Sequence, residues 1–293
     1  MLTRLPIVLF IAALAFSPAP ASASTAKEKP AAAKKADKKP AQKSGDEQAE
    51  EEKTPEQLRE EAFGRGKRAY DRGDWLKAIA NLRPLAEFGD VRAMILLGNM
   101  YSSCFGVTKD PKEAFVLYHR AAIANSLDGM VAIGAMYQTG TGIGVNTRLA
   151  IGWFERAARL GSQAGAFFYG IHKFQGSKGT TYDFKSDHEA AYKWFRISAQ
   201  GDDRKLRQAA YQTAKKLESK LPPDRVIEIN KQIKEWAPDT LESLGPNPEE
   251  IYIEEMRKKG KVIAPGNMPE EKPDVAPEED DDKEQGGSDR LTP

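Results

Sequence analysis

The sequence predicts an all-α fold, a solenoid built from pairs of antiparallel helices. Three observations predict it. Gly98, Gly134 and Gly170 stand 36 residues apart, within units that repeat at the same interval. Two apolar patterns with helical spacing alternate in each unit, and a glycine-containing loop separates them. Because one short helix pair cannot bury its own apolar stripe, neighbouring pairs must stack and share a continuous core.

The first pattern in each unit predicts one helix. Ala93, Leu97 and Tyr101 recur every four residues, which places them on a single helical face. Gly98 lies beside that face and would let a neighbouring helix approach closely. A shift of 36 residues repeats this arrangement around Gly134, and a second shift repeats it around Gly170.

The second pattern predicts the partner helix. Ala114, Tyr118 and Ala121 share one face, and Asp110 followed by Pro111 is typical of a helix start. The same pattern returns after 36 residues and again after a further 41, so the last unit carries a five-residue insertion. A degenerate earlier copy over residues 66–90 has a shorter turn between its helices.

The glycine-rich stretch "YQTGTGIGVN", residues 137–146, could be mistaken for a phosphate-binding loop. Such a loop needs a strand before it, whereas a helix is predicted here. The stretch also aligns, 36 residues on, with "YSSCFGVTKD", so that Gly140 matches Cys104 and Gly142 matches Gly106. We therefore interpret it as the turn between two helices, in which glycine serves left-handed geometry.

The two ends of the chain differ from the repeats. Residues 1–23 resemble a secretory signal peptide, with an apolar run too short to span a membrane and an Ala-x-Ala site ending at Ala23, although an uncleaved anchor stays open. Residues 24–54 form a Lys/Ala/Pro/Glu spacer without large apolar residues, which predicts disorder. The solenoid with its closing cap is assigned to residues 55–237. Residues 238–293 are expected to be an acidic, mostly disordered tail with one possible short helix.

The repeats resemble the sel-1-like repeat family, whose pattern reads A-x-x-x-L-G-x-x-Y, then G-x-G-V-x-x-D, then K-A-x-x-W-Y-x-x-A-A-x-x-G. The stretches "AMILLGNMYSSCFGVTKDPKEAFVLYHRAA" and "GMVAIGAMYQTGTGIGVNTRLAIGWFERAARLG" match most of it. The third unit departs, with Lys173 at the Tyr position and Ser198 at an Ala position. The resemblance implies a right-handed α/α solenoid, related to tetratricopeptide repeats, that binds other proteins, often as a scaffold or regulator of the bacterial cell envelope.

By the same resemblance, the first helix of each pair would line a concave groove. The groove residues expected from this are Arg68, Arg92, Asn99, Asp128, Gln138, Phe167, Ile171 and Phe174. For Phe167 and Phe174 an alternative stays open, namely burial against the following helix pair. Tyr182 and Phe184, in the five-residue insertion, are a second candidate binding patch because insertions in repeat proteins fall on one face.

No pattern in the chain indicates catalysis. His119, His172 and His188 occupy unrelated repeat positions, so we expect no metal site from them. "HEAAY" lacks the second histidine of a zinc helix, and "GRGKR" lacks the Ser or Thr that follows a phosphate-loop lysine. We expect neither a catalytic residue nor a cofactor.

Composition leaves protein partners as the simplest expectation. The chain has 44 Lys and Arg against 43 Asp and Glu, a balance that does not favour nucleic acid. The favoured hypothesis is a non-enzymatic scaffold or regulator, periplasmic or secreted, that binds other envelope proteins. The alternatives are an envelope hydrolase and a glycan-binding cell-wall protein.

Overall fold

The structure, a computed structural model, describes residues 53–176, 184–261 and 263. The predicted signal peptide, most of the predicted spacer and the distal part of the predicted tail fall outside these residues. Within the described part the chain is helical and has no β-strand. Its helices are α1 (Pro55–Arg72), α2 (Trp75–Glu87), α3 (Val91–Ser103), α4 (Pro111–Ile123), α5 (Leu127–Thr139), α6 (Thr147–Arg159), α7 (Gln163–Gln175), α8 (His188–Ser198), α9 (Arg204–Glu218), α10 (Pro223–Glu235), α11 (Leu241–Leu244) and α12 (Pro248–Lys258).

The predicted repeat is confirmed as tandem helix pairs. The first helices α3, α5 and α7 begin at Val91, Leu127 and Gln163, and the second helices α2, α4 and α6 also begin 36 residues apart. A two-residue turn joins α1 to α2, whereas seven residues join α3 to α4. The degenerate first pair therefore combines a shorter turn with a longer first helix, 18 residues in α1 against 13 in α3.

Local sequence explains where the helices begin. The Asp110 carboxylate accepts hydrogen bonds from the backbone N–H groups of Lys112 (3.0 Å) and Glu113 (3.1 Å), with Pro111 in the first turn of α4. The Asn146 side chain caps α6 in the same way, through Leu149 N at 3.0 Å. Both caps satisfy N–H groups that the helix itself leaves unpaired.

The glycine-rich stretch is an inter-helix loop, as predicted. Gly140 and Gly142 have φ of 71° and 78°, in the left-handed region. Cys104 takes the Gly140 position in the preceding repeat and adopts φ of 61°, which is uncommon for a residue with a side chain. Cys104 is a free, exposed cysteine at the C-cap of α3.

The repeat glycines mark where the paired helices touch. A Cβ placed on Gly98 would lie 2.6 Å from a ring carbon of Tyr118, and one on Gly134 would lie 2.8 Å from a ring carbon of Phe154. Each first helix therefore presents bare backbone to the aromatic ring of its second helix. This contact explains the 36-residue spacing of the glycines in physical terms.

The chain divides into two compact units, residues 1–133 and 134–293. In the first unit, α1 to α4 bury a core that includes Leu82, Leu97 and Leu117. In the second unit, the largest fully buried side chains include Trp153, Phe154 and Phe195.

The second unit closes with helices that lie beyond the repeats. The cap helices α9 and α10 pack on α8, and the Tyr192 hydroxyl donates to Asn230 Oδ1 at 3.2 Å. The following segment, residues 238–258, lies in the part expected to be mostly disordered with one possible short helix. It contains α11 and α12, of which α12 coincides with that possible helix and packs on α6.

Candidate functional site

The predicted groove residues of the first unit fall into two environments. Arg68 and Asp128 are exposed on α1 and α5, as a groove surface requires. Arg92 is engaged within the unit: its guanidinium lies 4.0 Å from the centre of the Phe63 ring and pairs with Glu60 of α1 at 2.8 Å. Arg92 therefore joins α3 to α1.

Asn99 lies in a polar cluster formed by side chains of α1, α3 and α4. The Tyr118 hydroxyl donates to Asn99 Oδ1 at 2.7 Å, and Tyr118 Oη lies 3.4 Å from Ser102 Oγ. Burial raises the pKa of Tyr118 and also that of the neighbouring Tyr70, so both phenols stay neutral donors at physiological pH. Asn99, Ser102 and Tyr70 are half-buried, so the cluster is partly open to solvent.

The predicted groove residues of the second unit differ more strongly in their burial. Phe167 is only 4% exposed and packs edge-on against Phe195 of α8, with ring centres 5.6 Å apart. Its assignment to the groove is wrong: it belongs to the core, because α8 covers the face of α7 from which it projects. Phe174 is half-buried and stacks on the His188 ring, whereas Ile171 remains half-exposed.

Gln138 is half-buried near the end of α5, and its Oε1 atom has no hydrogen-bond donor among the described residues. Ser102 and Phe174 occupy the matching positions one repeat earlier and later.

Of the second candidate patch, only one of the two residues is among those that the structure describes. Tyr182 lies outside the described residues, and Phe184 is half-buried.

The sequence reasoning missed a set of side chains on α6 and α12. Residues 238–258, which we call the C-terminal strap, run along α6 from its end towards its start. The contacts begin with Arg159, whose Nε lies 2.6 Å from Asp239 Oδ2, and end with an ion pair between Arg148 and Glu255. Gly152 in the middle of α6 was the available signal, because a glycine inside a helix away from a turn indicates close approach of another backbone.

A buried hydrogen bond anchors the strap to α5. Tyr137 occupies the same repeat position as Tyr101. It is 1% exposed, and its hydroxyl donates to Glu249 Oε1 at 2.8 Å. Glu249 is itself 7% exposed. Burial and the adjacent Glu249 carboxylate both raise the pKa of Tyr137, which keeps its proton on the phenol.

The described residues contain no group of three or more His, Cys, Asp and Glu side chains placed to hold a metal ion. Over residues 53–176 and 184–261, no helix combines the length and apolar character that crossing a bilayer requires.

Comparison with protein families identifies the repeats. The family model for the Sel1 repeat matches residues 91–126, 127–162 and 164–203, which are the helix pairs α3–α4, α5–α6 and α7–α8. The chain contains three Sel1 repeats. The Sel1 repeat fold is commonly a protein–protein interaction scaffold and generally a non-catalytic one.

Known proteins resemble parts of the Sel1 array. Protein SHC1 of Saccharomyces cerevisiae strain S288c is 28% identical over 116 residues, which are 39% of this chain and 22% of SHC1. SHC1 of strain YJM789 gives the same values. The chain thus matches only about a fifth of the length of these curated relatives.

Two crystal structures are also similar to the Sel1 array. A Sel1 repeat protein from Oxalobacter formigenes is 30% identical, with 52% of this chain and 58% of that chain covered and a TM-score of 0.47. The protein c5321, a protective antigen present in uropathogenic Escherichia coli strains displaying an SLR fold, is 19% identical, with 70% and 42% covered and a TM-score of 0.51. The second likeness supports the fold.

Proposed function

We propose that this protein is a non-enzymatic scaffold or regulator of the bacterial periplasm or cell envelope. In this proposal it binds segments of partner proteins on the surfaces of its first helices. The observation that carries the proposal is that one register position, held by Ser102, Gln138 and Phe174, is partly open to solvent in three successive first helices, as are Asn99 and Ile171. These positions are Asn99 and Ser102 in α3, Gln138 in α5, and Ile171 and Phe174 in α7.

The chemistry of these positions suits an extended or helical polypeptide. In the first unit, the Asn99 amide and the Ser102 hydroxyl can exchange hydrogen bonds with a partner backbone. In the second unit, the half-buried Gln138 side chain adds an amide group at the register position of Ser102. Ile171 and Phe174 add apolar surface, which supplies affinity in peptide recognition.

Export is part of the proposal because of the signal-like residues 1–23. We expect the mature chain to begin at Ser24 and to be recovered from the periplasmic fraction. Cell fractionation followed by amino-terminal sequencing tests this. A cytoplasmic chain that retains Met1 would reject the envelope location and leave the binding surface to be tested separately.

Site-specific photo-crosslinking tests the binding surface in the full-length protein. A photoreactive amino acid would replace Arg68 or Asp128, both exposed on first helices, in the native host. Matched controls would carry it at Lys77 or Lys112, both exposed on second helices. We expect one shared partner to crosslink to the first-helix positions, and to be lost when Asn99 and Gln138 are both changed to Ala in a chain that stays helical. Equal crosslinking from Lys77 and Lys112 would contradict the assignment.

A further inference from the structure

One side of α6 forms a surface unlike those of the matching helices. Arg148, Gly152, Arg156 and Arg159 lie at successive turns of one helical face. The same register positions hold Lys112, Val116, Arg120 and Ile123 in α4, and Leu76, Ala80, Pro84 and Glu87 in α2. Of these three helices, only α6 combines three arginines with a glycine on this face.

Gly152 creates the place where the strap comes closest to α6. A Cβ on Gly152 would lie 2.9 Å from Pro248 Cβ, a distance that ordinary side chains do not tolerate. Pro248 begins α12, and the Asn247 side chain caps that helix through Glu249 N and Glu250 N, both at 3.0 Å. The missing side chain of Gly152 thus leaves the space in which the capped first turn of α12 packs.

The arginines of α6 make further contacts with the strap. Arg156 Nη1 donates to the carbonyl oxygens of Gly245 (3.0 Å) and Pro246 (3.1 Å), which fixes the approach of the chain just before α12. Arg148 pairs with Glu255, and its guanidinium lies 5.7 Å from the centre of the Tyr252 ring. The arrangement recognises acidic side chains, a proline and an aromatic ring in a defined order, as a peptide-binding site does.

The strap is held by few buried groups. In α12 only Glu249 and Tyr252 are buried, and Ile251 remains 44% exposed. Ion pairs with half-exposed side chains, such as Arg159 with Asp239, contribute little to stability because solvent screens them. An element with so little buried apolar surface opens more readily than the repeat helices beneath it.

We propose that this face of α6 is a second peptide-docking site, for which the C-terminal strap is the tethered occupant. Its ligand is an acidic, helix-forming segment of a partner protein that begins with the capping pattern Asn-Pro-Glu-Glu and places an aromatic residue and a further acidic residue in the next two turns. Such a segment binds by displacing the strap. The site lies on α6, with one contact from Tyr137 of α5, and involves none of the positions named for the proposed groove, so it stands or falls independently of that groove.

The test uses the full-length chain and a fluorescent peptide of residues 238–260. In one variant, Glu249→Lys with Glu255→Arg releases the strap by reversing the charges that face Tyr137 and Arg148. We expect the peptide to bind this variant at least tenfold more tightly than the wild type, because in the wild type the tethered strap competes at high effective concentration. Fluorescence anisotropy measures both affinities.

Matched variants assign the binding to α6. Adding Arg148→Ala and Gly152→Leu to the released variant weakens peptide binding at least tenfold, whereas Lys112→Ala with Val116→Leu, at the same register positions of α4, leaves it unchanged. Equal affinity for wild type and released variant, no binding to the released variant, or equal effects of the two pairs would overturn the proposal. So would a stable dimer in light scattering that exchanges the strap, since the occupant would then be a second copy.

Hydrogen exchange on the wild type provides a test that needs no variant. The amides of α12 should exchange at least tenfold faster than those of α6, and saturating unlabelled peptide should make α12 exchange faster still. Exchange of α12 only through global unfolding of the second unit, with no response to the peptide, would show that the strap is a permanent part of the fold and would refute the proposal.

Discussion

A single missing side chain determines how closely the two helices of each repeat approach. The three repeat glycines face the aromatic rings of Tyr118, Phe154 and Phe195, and the space left for a methyl group differs among them. At Gly98 the nearest ring carbon would lie 2.6 Å from a new Cβ, whereas at Gly170 it would lie 3.2 Å away.

Gly98→Ala should therefore destabilise the protein, and Gly170→Ala should not do so by a comparable amount. Alanine gains about 1 kcal/mol in helix propensity at both sites. At Gly98 the clash with Tyr118 forces a shift that costs about 1–3 kcal/mol, whereas at Gly170 the Phe195 ring needs to move only slightly. Thermal denaturation followed by circular dichroism measures the difference, and equal melting temperatures for the two variants would contradict this packing explanation.

His172 gives the second unit a dependence on pH. The side chain is buried, its ring stacks on Phe154, and burial lowers its pKa to about 4. In the folded chain the imidazole therefore stays neutral down to about pH 4. In the unfolded chain it binds a proton once the pH falls below its ordinary pKa of 6.5. The contribution of His172 to the free energy of unfolding is fully present above pH 6.5. It falls by up to about 3 kcal/mol as the pH drops towards 4.

His172→Met should remove this pH dependence. Met100 and Met136 occupy the matching positions of the two earlier repeats, so methionine fits the register. Urea unfolding midpoints at pH 7 and pH 5 should differ less in the variant than in the wild type. The idea fails if the difference between the two midpoints is the same in both proteins.

At the scale of the element, the start of α12 shows how a short helix forms near the end of the described chain. The Asn247 side chain accepts from the first-turn N–H groups, and the Glu250 carboxylate accepts from Asn247 N at 2.9 Å, which completes a capping box. Pro248 adds a residue already set for helical geometry. The cap thus presents Glu249 to Tyr137.

Asn247→Ala should loosen the strap. Loss of an amino-terminal cap costs about 1 kcal/mol, or roughly a fivefold change in the opening equilibrium of the helix. We expect the α12 amides to exchange about fivefold faster, with α6 unchanged. Asp110→Ala, which removes a cap from α4, is the control: it should leave α12 exchange as in the wild type.

At the scale of the whole molecule, the helix pairs within each unit pack on one another, and stability is correspondingly local. In such arrays the stability is close to a sum of repeat and interface contributions. The cap helix α9 buries Leu206 and Leu217 in the second unit, where it packs on α8. A change in the cap should therefore be felt first by the nearest repeat.

Leu217→Ala should cost about 2–5 kcal/mol, because it leaves a cavity at a site only 2% exposed. Hydrogen exchange should show reduced protection in α8 and α7 and little change in α1 and α2. An equal loss of protection in all helices would show that the array unfolds as one cooperative body.

Much of the helix architecture could be predicted from sequence because helical periodicity, caps and turn glycines act over a few residues. Even the atypical third repeat follows the pattern: Ser198, at an alanine position, is fully buried and donates to the Gln163 carbonyl at 2.9 Å. The site was harder to predict. Phe167 carries the same periodic signal whether α8 covers it or leaves it open.

The sequence by itself determined the 36-residue repeat, the helix pairs and the turns between them, since each depends on residues that are near neighbours along the chain. Tertiary structure alone decided that residues 238–258 return to α6 and that Tyr137 meets Glu249, a partner 112 residues away. The physical reason is that docking a distant segment depends on shape and charge that two surfaces present only after folding. Gly152 and the acidic strap carry the information, but their pairing exists only in three dimensions.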